Sequence, residues 1–210
     1  MDLSRFKNYR RLYPRIRLSW SLYKNWARGD YINVWKYLLG METVKSDALQ
    51  KGKVVHQYIE ETNIPSKVKY ILGDSFINND ISQEKKIEVN MNGYVVVGVI
   101  DLLISDYVVD WKTGSLNGYA SQLKLYSWLV KKALGRKINH GLLVQIIPEW
   151  NTENWSEESK VKSIEVGRTS LYVINQELDV WGIRFEAMYD DILFNINEGY
   201  LDDFVEREIS

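Results

Sequence analysis

From Tyr94 to Lys112 the chain is almost continuously apolar and β-branched, broken only around Ser105-Asp106. That pattern predicts two strands joined by a tight turn, Tyr94–Ile104 and the run that ends in Asp-Trp-Lys-Thr-Gly. Asn92-Gly93, a strong hairpin signal, ties the first of these to a strand over Glu84–Val89, so an antiparallel meander is expected. Elsewhere the apolar positions recur at helical spacing. Leu22, Trp26, Tyr31, Val34, Tyr37 and Leu38 predict helical segments within 18–40, broken at Arg28-Gly29-Asp30. Asp30 caps the second of them and Gly40 ends it. Ser46–Thr62 reads as a helix, with Ser46 as its cap, Asp47 in its first turn and Pro65 beyond its end. A further helix over Tyr119–Leu134 stops at Gly135, with Tyr119, Gln122, Tyr126, Leu129 and Ala133 on one stripe.

After that helix, His140–Pro148 is a buried strand, Glu149–Lys162 an exposed polar loop and Ser163–Ile174 another strand. Gln176–Asn195 is an amphipathic helix with Leu178, Trp181, Phe185, Met188, Ile192 and Leu193 inward. The end, LDDFVERE, reads as a solvated acidic tail, and residues 63–82 show no clear period. Strands and helices over 210 residues most simply make one α/β domain. Within it, 1–45 is a basic and aromatic helical segment, 46–148 the core, and 149–210 a further strand, helix and tail.

Composition narrows the function by exclusion. The chain has no cysteine, which removes disulfides, thiolate zinc sites and iron–sulfur clusters. No apolar run approaches a membrane span and the first residues lack a signal-peptide core, so a cytoplasmic protein with no membrane partner is expected. No glycine-rich phosphate loop or dinucleotide fingerprint occurs. The net charge of −1 hides a strong asymmetry: residues 1–28 carry eight Lys and Arg against one acid, residues 149–210 five against fifteen. Arg10, Arg11, Arg15 and Arg17, set among Phe6, Tyr9 and Tyr13, suit a single-stranded nucleic acid, cations on phosphates and bases on rings. The same aromatics equally suit packing of this arm onto the body, and its charge equally suits the acidic end of this chain or of a second copy.

The densest chemistry lies in Gly98–Gly114. Counting outward from Ser105-Asp106 sets Asp101 opposite Asp110, with Lys112 on the same face. Opposed residues have Cβ atoms roughly 4.5–5.5 Å apart, where like charges repel unless something binds between them. A divalent cation is one such partner. A slip of one residue would send Asp101 to the other face. Gly52 and His56 lie four apart on one helical face. A mid-helix glycine costs about 1 kcal/mol relative to alanine, so a close approach at Gly52, by another backbone or by a ligand, is expected.

In order, then, the chain presents Gly52-x-x-x-His56, Asp101 at the end of a GVID strand, Asp110-Trp-Lys-Thr-Gly114 and Gln122-x-x-x-Tyr126. This set resembles the RecB-type branch of the PD-(D/E)XK nuclease superfamily, which includes CRISPR-associated RecB-like nucleases and archaeal-virus relatives. The resemblance covers about Leu18 to Val130, and LSWSLYKNW is similar to the Ser-x-Ser helix start of such nucleases. It implies a restriction-endonuclease-like α/β core, a central mixed β-sheet flanked by helices with an N-terminal helical segment, and a virus-encoded or cellular enzyme that hydrolyses DNA with Mg²⁺ or Mn²⁺. By resemblance, His56, Asp101, Asp110 and the backbone carbonyl of Trp111 bind the metal, and Lys112 holds or deprotonates the attacking water. Gln122 and Tyr126 position the lysine or the strand, and Glu84 or Glu88 is an auxiliary acid. The four cysteines that hold an iron–sulfur cluster in many members are missing here, so no cluster is expected. Single-stranded or frayed DNA is the expected substrate, and a second copy of the chain or recombination and replication proteins are open as partners. Two rival readings stand beside this one: a DNA-binding or assembly protein that kept the fold without catalysis, and an RNase on the same core.

Overall fold

The computed structural model describes residues 3–41, 46–62, 81–156, 158–175 and 179–209. Their strands are β1 (Ile16–Leu18), β2 (Ile81–Asn90), β3 (Tyr94–Ile104), β4 (Tyr107–Lys112), β5 (His140–Trp150) and β6 (Val161–Val173). The helices are α1 (Trp20–Trp26), α2 (Tyr31–Leu39), α3 (Asp47–Glu61), α4 (Ala120–Leu134), α5 (Val180–Asn197) and α6 (Tyr200–Ile209). The strands form one mixed sheet in the order β1-β3-β4-β5-β6, with β2 also on β3. Among the described residues no helix is long and apolar enough to cross a membrane.

The chain divides into two compact units, and β3 contributes its first half to one and its second half to the other. The unit made of Met1–Val44, Glu88–Gly98 and Glu177–Ser210 holds β1, α1, α2, α5 and α6. The starts of α1, α2 and α5 follow from their caps: Ser19, Asp30 and Asp179 accept from the Leu22, Asn33 and Gly182 amides. Gly40 ends α2 at φ 71°, a left-handed stop that a Cβ disfavours. Trp181, Phe185, Met188 and Ile192 of α5 are buried as their spacing predicts, and Leu193 is half-buried. Leu178 lies outside the described residues, as do 63–80 of the stretch without a clear period.

Two features of this unit depart from the sequence reading. Ile16–Leu18 is a strand, parallel to β3 in the register Ile16↔Tyr94, Arg17↔Val95 and Leu18↔Val96. Three residues are too few for a period to register. The acidic end is not a solvated tail but helix α6, begun after Gly199 at φ 86°. Leu201 is fully buried, with Phe204 and Val205 half-buried three and four positions on, so one face is apolar despite the charge. Asp202 and Asp203 occupy the first turn and Arg207 the last, each favoured by the helix dipole.

The other unit, Lys45–Ile87 and Val99–Gln176, holds α3, α4, the second half of β3 and strands β4 to β6. The turn between β3 and β4 is Ser105-Asp106, with Ser105 at φ 49° as tight hairpin turns require of a central residue. The register is Ile104↔Tyr107, Leu103↔Val108 and Leu102↔Val109, so the next step outward meets Asp101 and Asp110. Strands β4 and β5 run parallel, Asp110 beside Leu143 and Lys112 beside Gln145, and parallel neighbours need a crossover. Helix α4 supplies it.

Helices cover both faces of this part of the sheet. Val55 and Ile59 of α3 pack on Leu102, Ile104, Val109, Trp111, Leu142 and Val144. Burying each aliphatic side chain of that kind stabilises by about 1.5–3 kcal/mol. On the opposite face α4 lies close to β5, and a Cβ on Gly141 would stand 2.9 Å from the Leu123 Cβ. Glycine at 141 is what lets the helix sit down on the strand.

Candidate active site

Asp110 and Lys112 alternate with Val109 and Trp111, whose side chains belong to the apolar cluster under α3. They therefore project toward α4. Lys112 Nζ lies 2.6 Å from Asp110 Oδ2 and 4.3 Å from the centre of the Tyr119 ring, a cation–π contact just before α4 begins. Asp110 is 1% exposed, and the ion-pair contact is made without an aligned hydrogen bond to its Oδ2.

Asp101 behaves differently from a plain cross-strand partner. Its Oδ2 accepts the Trp111 amide at 2.7 Å, where a regular ladder would offer a backbone carbonyl. Its Oδ1 is then free to face His56 Nδ1 at 3.7 Å. The same ring nitrogen lies 3.4 Å from Glu84 Oε1. His56, Glu84 and Asp101 thus form a group whose ligand atoms all lie within 4.8 Å of one another. Asp110 stands beside that group, near enough to act on both Asp101 and His56 electrostatically.

Burial and mutual repulsion dominate the charges. Burial, then the Asp110 charge, push the Asp101 carboxyl far above the ordinary carboxylate range, against the pull of His56, the Trp111 amide and Lys112. Burial also raises Asp110, opposed by Lys112. Burial pulls the His56 imidazole down, but Glu84, Asp101 and Asp110 together hold it above its usual value. Protons collect where negative charge is crowded and desolvated. The same chemistry suits a divalent cation: the ligand atoms of His56, Glu84 and Asp101 already converge, and the buried Asp110 carboxylate stands beside them.

Gln122 and Tyr126, one turn apart on α4, are both buried, and Gln122 Nε2 donates to the Tyr126 hydroxyl at 2.6 Å. Burial and then the Asp110 and Asp101 charges raise the Tyr126 phenol well above its usual value, so it lies by the acids and stays protonated. Gln122 Oε1 is buried without a partner among the described residues. Gly52 meets less than its sequence position implied. Among the described residues a Cβ there would find nothing nearer than Thr113 Oγ1, at 4.0 Å, so none of their backbone requires the glycine.

Glu84 is the residue the sequence ranked too low. It sits at φ 43°, a left-handed conformation rare outside glycine, within β2. Ile87 and Val89 point inward, yet Lys85, in phase with them, is exposed. The irregularity at Glu84 resets the alternation and aims its carboxylate at His56. Glu88, the other candidate, forms an ion pair with Arg17 instead.

That pair belongs to the basic segment, which is largely engaged within its own unit. Phe6 and Leu12 are buried, Arg11 stacks 4.1 Å over the Tyr37 ring and donates to the Tyr37 carbonyl at 2.7 Å, and Arg15 reaches Asn90 Oδ1 at 3.2 Å. Arg10 is exposed. The packing role considered for the aromatics holds for Phe6, while Tyr13 stays exposed.

No family model and no curated protein sequence matches the chain. Among solved structures it is similar to a candidate exonuclease from Eubacterium rectale, over 95% of this chain and 88% of that one, at TM-score 0.56 and 15% identity. An alkaline exonuclease from Laribacter hongkongensis aligns with 92% of this chain and 93% of its own at TM-score 0.44 and 12% identity. At 15% identity the likeness to the first of these concerns the fold alone, a mixed sheet flanked by helices.

Proposed function

We propose that this chain is a divalent-metal-dependent nuclease of the RecB type that hydrolyses DNA phosphodiester bonds, preferring single-stranded or frayed DNA. The observation that carries the reading is the convergence of His56, Glu84 and Asp101 beside the Asp110–Lys112 pair. The ordered motifs Gly52-x-x-x-His56, Asp110-Trp-Lys and Gln122-x-x-x-Tyr126, and the fold shared with a candidate exonuclease, support it.

Asp101, Asp110, His56 and Glu84, with the Trp111 carbonyl, would hold Mg²⁺ or Mn²⁺. The bound ion would supply positive charge for the transition state and a more acidic water. Asp110 and the Tyr119 ring hold the Lys112 ammonium in place to orient a water and manage its proton. The Gln122–Tyr126 hydrogen bond sets a neutral donor near the acids, where it orients groups without adding negative charge. The exposed Arg10 and the neighbouring basic residues supply phosphate contacts, whose strength falls with salt.

The test is incubation with labelled linear and circular DNA, single- and double-stranded, in Mg²⁺, Mn²⁺ or EDTA. Metal-dependent loss of linear single strands ahead of duplex is the expected result, and loss of circles identifies endonucleolytic attack. Cleavage indifferent to EDTA rejects the mechanism. Cleavage of RNA with DNA untouched moves the substrate to RNA.

A further inference from the structure

The face of the sheet that carries Lys112 continues over two more strands. Lys112 pairs with Gln145 of β5. Val144 and Ile146, on either side of Gln145, belong to the apolar cluster under α3. Gln145 therefore points to the opposite face, with Asp110 and Lys112. On β6 the register then slips. Val144 faces Thr169 and Ile146 faces Val166, which leaves two residues, Gly167 and Arg168, against the single Gln145. Such a β-bulge re-aims a side chain, and bulges are common beside active sites.

Gln145 holds the bulge and the loop beyond Lys112 at once. Its Nε2 donates to the Gly114 carbonyl at 3.3 Å, and its Oε1 accepts the Arg168 amide at 3.3 Å. The two bonds together fix which end of the side-chain amide is oxygen, since the exchanged orientation would satisfy neither. A Cβ on Gly167 would crowd Gln145 Oε1 and Ile147 Cδ1, each 3.0 Å away, so the small residue makes room for the amide. Ile147, two positions beyond Gln145 and on its face, is 47% exposed, so this end of the face is open to solvent. Arg168 is exposed too, and its guanidinium makes no ion pair or ring contact among the described residues. Glu165, opposite Ile147 on the same strand as Arg168, is not bonded to it.

We propose that Arg168 binds a phosphate of the strand held at the metal site, and that Gln145 is the positioning residue that ties it to the Lys112 loop. The proposal rests on the nuclease reading. Adjacent strands lie about 4.8 Å apart, so the Arg168 backbone stands roughly 10 Å from that of Lys112 across the sheet. At about 3.4 Å of axis per nucleotide in one strand, the phosphate it meets lies about three removed from the one being cut. A planar guanidinium with no carboxylate partner suits that group, which it can hold by two parallel N–H bonds. No bond breaks at that phosphate, so the contact acts alike on substrate and transition state.

The experiment compares R168Q, R168K and Q145L with the parent chain on labelled oligothymidylate. Binding is read by fluorescence anisotropy in EDTA at several salt concentrations, and turnover separately in Mn²⁺. R168Q weakens binding about tenfold and lowers the salt slope by about 0.7, as loss of one phosphate contact to a single strand requires. Its melting temperature stays in place, because the side chain is exposed and unpaired. R168K keeps the slope and recovers part of the affinity. In turnover R168Q raises KM more than it lowers kcat. Q145L lowers kcat as well, since the loop after Lys112 loses its tie, and adding R168Q to it weakens binding less than in the parent. A strand bound by the parent and left uncut in Mn²⁺ overturns the nuclease reading alone, because anisotropy still judges Arg168. No binding by the parent overturns both. Affinity and salt slope unaltered in R168Q, or equal losses from R168Q with and without Q145L, overturn the proposal.

Discussion

The Trp111 amide donates to Asp101 Oδ2 at 2.7 Å, so the strand that carries Asp110 and Lys112 also orients the carboxylate across from it. One hydrogen bond thereby aims the other Asp101 oxygen at His56. Asp101→Asn keeps an acceptor for the amide while removing the most strongly desolvated charge. Cleavage is expected to fall at least about 100-fold. The metal-free protein is expected to gain stability near pH 8, read as a higher melting temperature in EDTA. A variant that melts lower and still cleaves at the parent rate contradicts the site.

The Lys112–Asp110 pair makes a double-mutant prediction. Lys112→Met leaves a 1%-exposed carboxylate without its cation, and the loss is expected to be about 1–3 kcal/mol in urea unfolding. Adding Asp110→Asn recovers most of it, since the uncompensated charge is then gone. All three variants are expected to lose cleavage, while Lys112→Met retains affinity for DNA. Additive losses in the cycle would mean the pair is not coupled.

Stability should depend on pH in one direction. Asp101 is raised from 3.8 to about 8, and Asp110 and His56 are raised too. A group whose folded value lies above its unfolded one stabilises fully below the unfolded value, and loses that contribution as pH climbs through the folded one. In EDTA the melting temperature is therefore expected to fall between about pH 5 and 8. Mn²⁺ competes with the same protons, so its stabilising increment grows over that window and its binding releases protons. Scanning calorimetry at several pH values, with and without metal, checks both slopes.

Gly52 offers a test of what passes beside α3. Since the nearest atom to a Cβ there is 4.0 Å away, Gly52→Ala is expected to stabilise the helix by up to about 1 kcal/mol. A stabilised variant with impaired cleavage assigns that space to substrate. Unchanged kinetics leave the glycine without a role in turnover.

The basic segment separates into two kinds of arginine. Arg10→Ala is expected to leave stability within about 0.5 kcal/mol and to lower the salt slope of DNA binding by about one. Arg11→Ala removes a ring contact and a carbonyl hydrogen bond, so it is expected to lower stability by about 1 kcal/mol. Urea unfolding and binding isotherms at several salt concentrations distinguish them.

Much of this was legible in one dimension because it rests on local rules. Alternation and β-branching placed β3 and β4, and the two-residue turn set Asp101 opposite Asp110. Caps and stops bounded α2, α3 and α4 at Ser46, Asp30, Gly40 and Gly135, since an orphan amide or a left-handed carbonyl end is a matter of one or two residues. The acidic end misled because its charge outweighed, on reading, the single stripe of Leu201, Phe204 and Val205 that makes it a helix.

What the amino-acid order determined by itself was the roster of candidate chemistry, His56, Asp101, Asp110 and Lys112 with no cysteine in the chain, and the order of the strands and helices. Only the tertiary structure decided that Glu84, rather than Glu88, joins them. A backbone irregularity in β2 turns one carboxylate to the histidine, while the other meets Arg17 from a segment 71 residues away. Sequence spacing is blind to both, because an alternation broken once and an ion pair formed across the chain are set by which surfaces fold together.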